Sequence, residues 1–253
     1  MLVIVRSIIF NVLFYLNLLL HLLVELPALL MPSYYYVVAV AKSWARTSVW
    51  LLRITAGVKL DIQGLEKLPH GAYILAAKHQ SMWETFALLA VVHDPIFILK
   101  RELMWIPVFG WCLWKGDMIP VNRGARGPAL AAMTERARFE IGRGRQLIIF
   151  PEGTRRPAGA EPKYKFGAAH LYAEMGVPCV PVALNSGLFW PRRSFRRFPG
   201  TIRVEILDPI PPGLDKQVFA ERLRNEIETA TARLVAEGER ELRAAGYEPV
   251  SQR

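Results

Sequence analysis

Cysteine is scarce in this chain: only Cys112 and Cys179 occur in 253 residues. They are far apart and fit neither a C-x-x-C motif nor any metal-ligand spacing, which excludes a disulfide framework and a structural zinc site. Two reduced core thiols are expected instead. The five histidines, His21, His70, His79, His93 and His170, show no paired spacing, so no ligand cluster for a catalytic metal is expected. No G-x-S-x-G occurs, and the nucleophile elbow of a serine hydrolase is therefore missing. Acidic side chains are also short in number, 22 against 32 lysines and arginines, for a net charge of +10. Such an excess implies an anionic partner: nucleic acid, a membrane surface or a phosphorylated substrate. The basic residues are scattered between apolar segments rather than striping one helix, so nucleic acid is not expected among the partners.

Apolar residues are plentiful, at 52% of the chain, and most of the excess precedes Gly57. From Ile8 to Leu30 the sequence is almost all Leu, Ile, Val and Phe, long enough for a helix to cross a bilayer. Its polar exceptions, Asn11, Asn17, His21 and Glu25, fall within an arc of roughly 120° at ~100° per residue. This stripe can face the rest of the protein, a second helix or the headgroup layer. A second segment, Tyr34 to Thr55, carries Lys42, Arg46 and Arg53 among Tyr, Trp and Val, a mixture typical of the membrane–water boundary. Arg6 before an apolar run also fits a signal peptide, but Glu25-Leu26-Pro27-Ala28 runs straight into Leu29-Leu30-Met31 without a small-x-small cleavage site. Residues 1–57 are therefore expected to be a retained hydrophobic membrane segment, either a helical hairpin or a single span.

Beyond Gly57, short apolar runs alternate with helical patterns. Val58 to Gln63 alternates and reads as a half-exposed strand near a sheet edge. Tyr73 to Ala77, Ile96 to Leu99, Asp117 to Val121, Gln146 to Phe150, Val180 to Leu184 and Thr201 to Leu207 read as further strands. Pro128 to Ile141 reads as a helix opened by Pro128 and closed by Gly142. The expected fold is α/β, a layered sheet with flanking helices, over residues 58–210. Residues 211–253 form a tail in which Phe219, Leu223, Ile227, Ala230 and Leu234 recur at helical steps from Asp215 onward, the pattern of an amphipathic helix. Its charged continuation past Gly238 frays by Pro249.

The chemistry gathers after the second strand. His79 and Glu84 are five residues apart, roughly 140° from one another on a regular helix. They meet only if His79 lies at the strand-to-helix turn and Glu84 reaches back from the helix, which Ser81 or Gln80 opens. A carboxylate on one imidazole nitrogen then fixes the tautomer and leaves the other nitrogen as a base. About seventy residues later comes Phe150-Pro151-Glu152-Gly153-Thr154-Arg155.

Together these stretches resemble the glycerolipid acyltransferase family, most closely its bacterial 1-acylglycerol-3-phosphate acyltransferases. The histidine and acidic residue match the first motif, with Glu84 in place of the usual aspartate. Residues 150–155 match the third letter for letter. Lys100-Arg101-Glu102-Leu103, Pro107, Gly110 and Gly116 through Arg123 resemble the second motif, and Val177 to Val182 the fourth. The resemblance implies a glycerol-3-phosphate acyltransferase-like fold, His79 and Glu84 as the catalytic pair, and a substrate-phosphate site of Arg123, Glu152, Gly153, Thr154 and Arg155. Lys100, Arg101 and Lys165 are further substrate-binding candidates. Gly153 allows close backbone approach, Thr154 offers a hydroxyl, and Arg155 or Arg123 can grip phosphate bidentately.

No cofactor and no metal are implied, because acyl-CoA or acyl carrier protein serves as co-substrate. The partners are membrane lipids and a lysophospholipid acceptor, 1-acylglycerol 3-phosphate first and another lysolipid such as a lyso-ornithine lipid second. A non-catalytic membrane-attached lipid-binding protein is the reading from another class, opposed by the intact His79–Glu84 pair. The expected location is the inner, cytoplasmic membrane with the catalytic domain on its cytoplasmic face. Two basic stretches stand outside the third motif. Lys163 to Ala168 either helps to hold an anionic donor or acceptor or is a plain basic loop. Phe189 to Phe198 interleaves arginines and aromatics without helical order; it either touches anionic headgroups or donor phosphates, or is a plain solvated loop.

Overall fold

The computed structural model describes residues 1–121 and 127–249. Two long helices, α1 (Leu2–Leu29) and α2 (Tyr35–Ala56), come first. Then follow β1 (Val58–Gln63), β2 (Ile74–Ala77), α3 (Trp83–Val91), β3 (Pro95–Lys100), α4 (Phe109–Lys115) and β4 (Ile119–Val121). The second half holds α5 (Pro128–Gly142), β5 (Gln146–Ile149), α6 (Phe166–Met175), β6 (Cys179–Leu184), the short α7 (Ser186–Phe189), β7 (Gly200–Ile206) and α8 (Lys216–Ala244).

The seven strands form one sheet in the order β1-β7-β6-β2-β5-β3-β4. Every pairing is parallel except β6 with β7. Successive side chains on a strand point to opposite faces, and both faces here are covered. Leu75, Ala77, Ile148, Val180 and Val182 join a core with Phe86 and Leu88 of α3. Ile74, Ala76, Leu147, Ile149 and Cys179 join another with Leu171 and Tyr172 of α6 and Phe219, Leu223 and Ile227 of α8. Burial on both sides is why the central strands read as continuous apolar runs, whereas β1 at the edge alternates.

The two N-terminal helices form an antiparallel hairpin, and its stripe of polar residues faces inward. The Asn17 amide donates to the hydroxyls of Thr47 and Ser48, each at 3.0 Å. His21 lies 3.3 Å from the Ser43 hydroxyl, Asn11 donates to the Phe195 carbonyl at 2.9 Å, and Glu25 is buried beside Cys112. Of the three orientations open to the stripe, it takes the second helix and the α/β domain. The opposite side of α1 is an exposed apolar face that includes Val12, Leu16, Leu19, Leu23 and Val24. Residue 57 marks a helix end, where Gly57 takes a left-handed conformation at φ 73° that suits glycine. It does not mark the end of a packing unit. Phe10, Phe14, Leu52 and Ala56 share one buried cluster with Phe86, Trp190 and the strands.

The helix expected from Pro128 to Ile141 is present and runs one residue further, to Gly142, and the tail helix is present too, its Asp215 carboxylate accepting the Gln217 N–H at 2.7 Å as an N-cap. Three helices were not legible in the sequence. The stretch read as a basic loop enters α6 at Phe166. The others are α4 and α7, of seven and four residues, too short to show a helical period. Both cysteines are buried and free, as expected, and burial pushes both thiols upward in pKa. Such thiols are poor nucleophiles.

Candidate active site

Strand order decides where the chemistry collects. β2, β5, β3 and β4 are neighbours and parallel, so the residues after each strand emerge on the same edge, the usual crevice of such sheets. His79 follows β2, Lys100 ends β3, Arg101 follows it, and Pro151 to Arg155 follow β5. Arg123 lies outside the described residues.

Lys78 is still held to the sheet, its N–H donating to the Val182 carbonyl at 2.9 Å. The chain then leaves the sheet at His79 and re-forms as α3 at Trp83, whose N–H is received by the Ser81 hydroxyl at 3.1 Å. This irregular turn brings two residues five apart into contact. His79 Nδ1 lies 2.9 Å from Glu84 Oε1. The same oxygen accepts the backbone N–H groups of Gln80 at 2.7 Å and Ser81 at 2.6 Å. Glu84 Oε2 accepts the hydroxyl of Ser186 at 2.7 Å. Glu84 is 0% exposed and His79 6% exposed, so this carboxylate is buried among four hydrogen-bonding groups and beside the N-terminus of α3. A carboxylate in this place accepts a hydrogen bond from Nδ1–H, and no described residue hydrogen-bonds Nε2. The imidazole stacks on Phe150, with ring centres 4.1 Å apart and planes 18° from parallel.

Glu152 differs from its expected place in the phosphate site. Its side chain is fully buried and faces inward, accepting from Lys78 Nζ at 3.0 Å and from the backbone N–H of His79 at 3.3 Å. Burial raises the Glu152 pKa, opposed by the Lys78 ammonium and the His79 N–H. A carboxylate would in any case repel a phosphate. Its contacts instead hold the backbone of His79, and Lys78 continues to Glu228 on α8 at 2.8 Å. Gly153, at φ 63°, makes room for a side chain rather than a bare ligand: a Cβ there would lie 3.0 Å from Lys165 Nζ. Lys165 itself is tied down through its N–H to the Pro151 carbonyl at 2.9 Å.

Two cavities share His79 and Phe150 in their walls. The larger, about 620 Å³, runs between the hairpin and the sheet past Leu18, Leu22, Val38, Phe86 and Phe97, and includes Lys100, Thr154 and Arg155. The smaller, about 560 Å³, is lined by Arg101, Arg136, Gly153 and Lys165 together with Leu130 and Leu171. The expected binding residues are thus divided between two compartments. Lys100 is also paired with Glu102 at 2.9 Å on the surface. Among the described residues no group of three His, Cys, Asp or Glu side chains could hold a metal ion.

The sequence did not show Ser186 or Gly187. Ser186 fixes the far oxygen of Glu84, and the Gly187 N–H donates to Gln80 Oε1 at 3.0 Å. A Cβ on Gly187 would come within 2.9 Å of Gln80 Cβ. These contacts join segments more than 100 residues apart, with no local pattern to reveal them.

A protein-family model described as acyltransferase matches residues 59–185, which contain the His79–Glu84 turn, the loop after β5 and all of β6. The chain belongs to this acyltransferase family. The chain is 37% identical over 167 residues to the 1-acyl-sn-glycerol-3-phosphate acyltransferase of Pseudomonas aeruginosa, covering 66% of this chain and 65% of that one. It is 30% identical over 189 residues to the human 1-acyl-sn-glycerol-3-phosphate acyltransferase alpha, covering 72% of this chain and 67% of that one. The matched stretch thus spans about two thirds of these relatives' length. In fold, it matches the crystal structure of the 1-acyl-sn-glycerophosphate acyltransferase PlsC from Thermotoga maritima with a TM-score of 0.74. That match covers 90% of this chain and 97% of that one at 21% identity.

Proposed function

We propose that this acyltransferase moves a fatty acyl group from a thioester to the free hydroxyl of 1-acylglycerol 3-phosphate, giving phosphatidic acid for phospholipid synthesis. The observation that carries the reading is the buried Glu84 carboxylate on His79 Nδ1, which leaves Nε2 at the junction of two cavities. As the acceptor oxygen attacks the thioester carbonyl, Nε2 takes the hydroxyl proton and Glu84 stabilises the imidazolium that forms. The tetrahedral intermediate collapses, the C–S bond breaks, and the imidazolium returns the proton to the departing thiolate. A thioester is already activated, so no acyl-enzyme is needed. The donor is acyl-CoA or acyl carrier protein. Thr154 and Arg155 are assigned to a substrate phosphate, Gly153 and Lys165 to the other side of the base, and Glu152 to positioning His79. Binding energy at the phosphate is thereby converted into orientation of the hydroxyl.

Membrane attachment is assigned to α1, the one described helix long and apolar enough to cross a bilayer, through its exposed face. The site is assigned to the cytoplasmic side of the inner membrane. The reading is tested by offering the purified full chain a panel of lysolipids with each donor and identifying the products by mass spectrometry. Phosphatidic acid is expected. Acylation of a lyso-ornithine lipid alone would replace the acceptor, and a folded protein that acylates none of them would refute the chemistry.

A further inference from the structure

The four motifs leave unexplained the arginine-rich stretch between α7 and β7. Arg192 and Arg193 line the larger cavity together with Thr154, Arg155 and His79. They come from a different part of the chain than the loop after β5, yet the two loops face one another closely enough for Arg192 to feel the charges of Arg193, Arg155 and Arg156. The Arg192 pKa is lowered, first by burial and then by these three neighbours.

The cluster has almost no counter-charge. Among the described residues Arg155, Arg192 and Arg193 form no ion pair, and Arg156 only approaches Glu152 at 3.9 Å. That carboxylate is already committed to Lys78. Crowded like charges without a partner cost free energy, and a bound anion removes the cost.

The loop is held rigidly in this place. The Ser7 hydroxyl accepts the Arg197 N–H at 2.8 Å, and the Arg197 guanidinium donates to Asn11 at 3.0 Å. Its carbon lies 4.0 Å from the centre of the Trp190 ring. Arg193 adopts φ 57°, a left-handed conformation that a non-glycine residue keeps only when its surroundings impose it. The arginines are thus presented at the cavity by a loop bolted to α1.

We propose that Arg192 and Arg193, together with Arg155, form a phosphate-binding rim on the larger cavity, gripping the phosphate of an acyl-bearing substrate whose chain lies between the hairpin and the sheet. This rests on the acyl-transfer reading for its substrate class. The arrangement separates the substrate's three parts by chemistry: apolar chain along Leu18, Phe86 and Phe97, reacting centre at His79, and anionic end at the guanidinium groups. Arginine suits that end because its planar fork binds phosphate oxygens bidentately.

The test uses the full chain carrying Arg192→Ala, Arg193→Ala, both together, or Arg196→Ala, an exposed residue of the same loop outside the cavity. Steady-state KM is measured for each substrate with the other saturating, and equilibrium binding of lysophosphatidic acid and of CoA is measured without turnover. Each cavity substitution should weaken one phosphorylated ligand by ~5–20-fold, the double more, with kcat within about threefold. This follows from a charge-assisted contact moderated by solvent screening. Lysine at either position should recover part of the loss, and Arg196→Ala should change neither ligand.

A shift confined to lysophosphatidic acid supports the rim and makes the acceptor its source, and one confined to CoA supports it and makes the donor its source. Unchanged binding of both overturns the rim. So does a loss seen only as weaker association with anionic phosphatidylglycerol vesicles and shared equally by Arg196→Ala. Wild-type protein that binds these ligands through the arginines yet transfers no acyl group would refute the acyl-transfer reading and retain the rim.

Discussion

Glu84→Gln isolates the charge of the carboxylate beside His79. Glutamine keeps the length and volume of the side chain. Its carbonyl can still receive the N–H groups of Gln80 and Ser81 and the Nδ1 proton of His79, while its amide donates to Ser186. Only the negative charge 2.9 Å from the ring is removed. At an effective dielectric of ~20, a full charge pair at that distance is worth about 6 kcal/mol. The lower bound is a hydrogen bond to a charged group, ~1.5–3 kcal/mol. In the proposed mechanism the imidazolium forms as the hydroxyl proton is taken, so the loss falls on kcat. At about 1.4 kcal/mol per decade these bounds span ~10-fold to ~10⁴-fold, and kcat should fall by an intermediate ~10²–10³, with KM for both substrates within a few-fold.

Glu84→Asp keeps the charge and withdraws it by about one C–C bond, ~1.5 Å. Contacts of 2.6–2.9 Å then stretch unless α3 shifts, and a loss of about tenfold is expected. The assay is acyl transfer to lysophosphatidic acid, with thermal unfolding to establish that each variant is folded. A folded Glu84→Gln enzyme within threefold of wild type refutes the counter-charge role. Equal losses in the two variants would mean that reach, not charge, matters at this position.

Further outcomes follow from the same geometry. His79→Ala should lower kcat by ~10²–10⁴, the usual contribution of a general base, in the same assay and without loss of the folded state. Lys78→Met strips the buried Glu152 of its partner, which costs ~3–5 kcal/mol. At ~2–4 °C per kcal/mol for a chain of this size, Tm should drop by ~6–20 °C, with much of that regained on adding Glu152→Leu. Ser186→Ala frees one oxygen of Glu84 and should reduce kcat about tenfold with little change in KM, and Ser186→Thr should restore part of it. Salt at ~1 M shrinks the Debye length to ~3 Å but leaves apolar burial intact, so membranes washed in it should retain the full chain in a sedimentation assay. Release by salt alone would make the attachment electrostatic and remove the role given to the exposed face of α1.

How much was legible in the sequence depends on the range of the interactions. Strands buried on both faces announce themselves as runs such as Ile74 to Ala77, and α8 as a repeat of Phe219, Leu223 and Ile227, because burial acts on each element's own periodicity. The His79–Glu84 contact was legible too, since it is closed by one local turn. Glu152 shows where local reading ends. Its motif marked it as part of a substrate site, but only the sheet places Lys78 3.0 Å away and turns the carboxylate inward.

The sequence by itself determined the α/β class, the membrane-compatible first helix, the meeting of His79 with Glu84 and the family, since each rests on residue type, periodicity or short spacing. Only the tertiary structure decided that the polar stripe of α1 turns inward and that the hairpin shares the core of the domain through Phe10 and Phe14. It alone brought Ser186 to Glu84 and Arg192 and Arg193 to the cavity of Arg155. These contacts join distant segments of the chain, and which segments meet is set by strand order and helix packing, which no local spacing encodes.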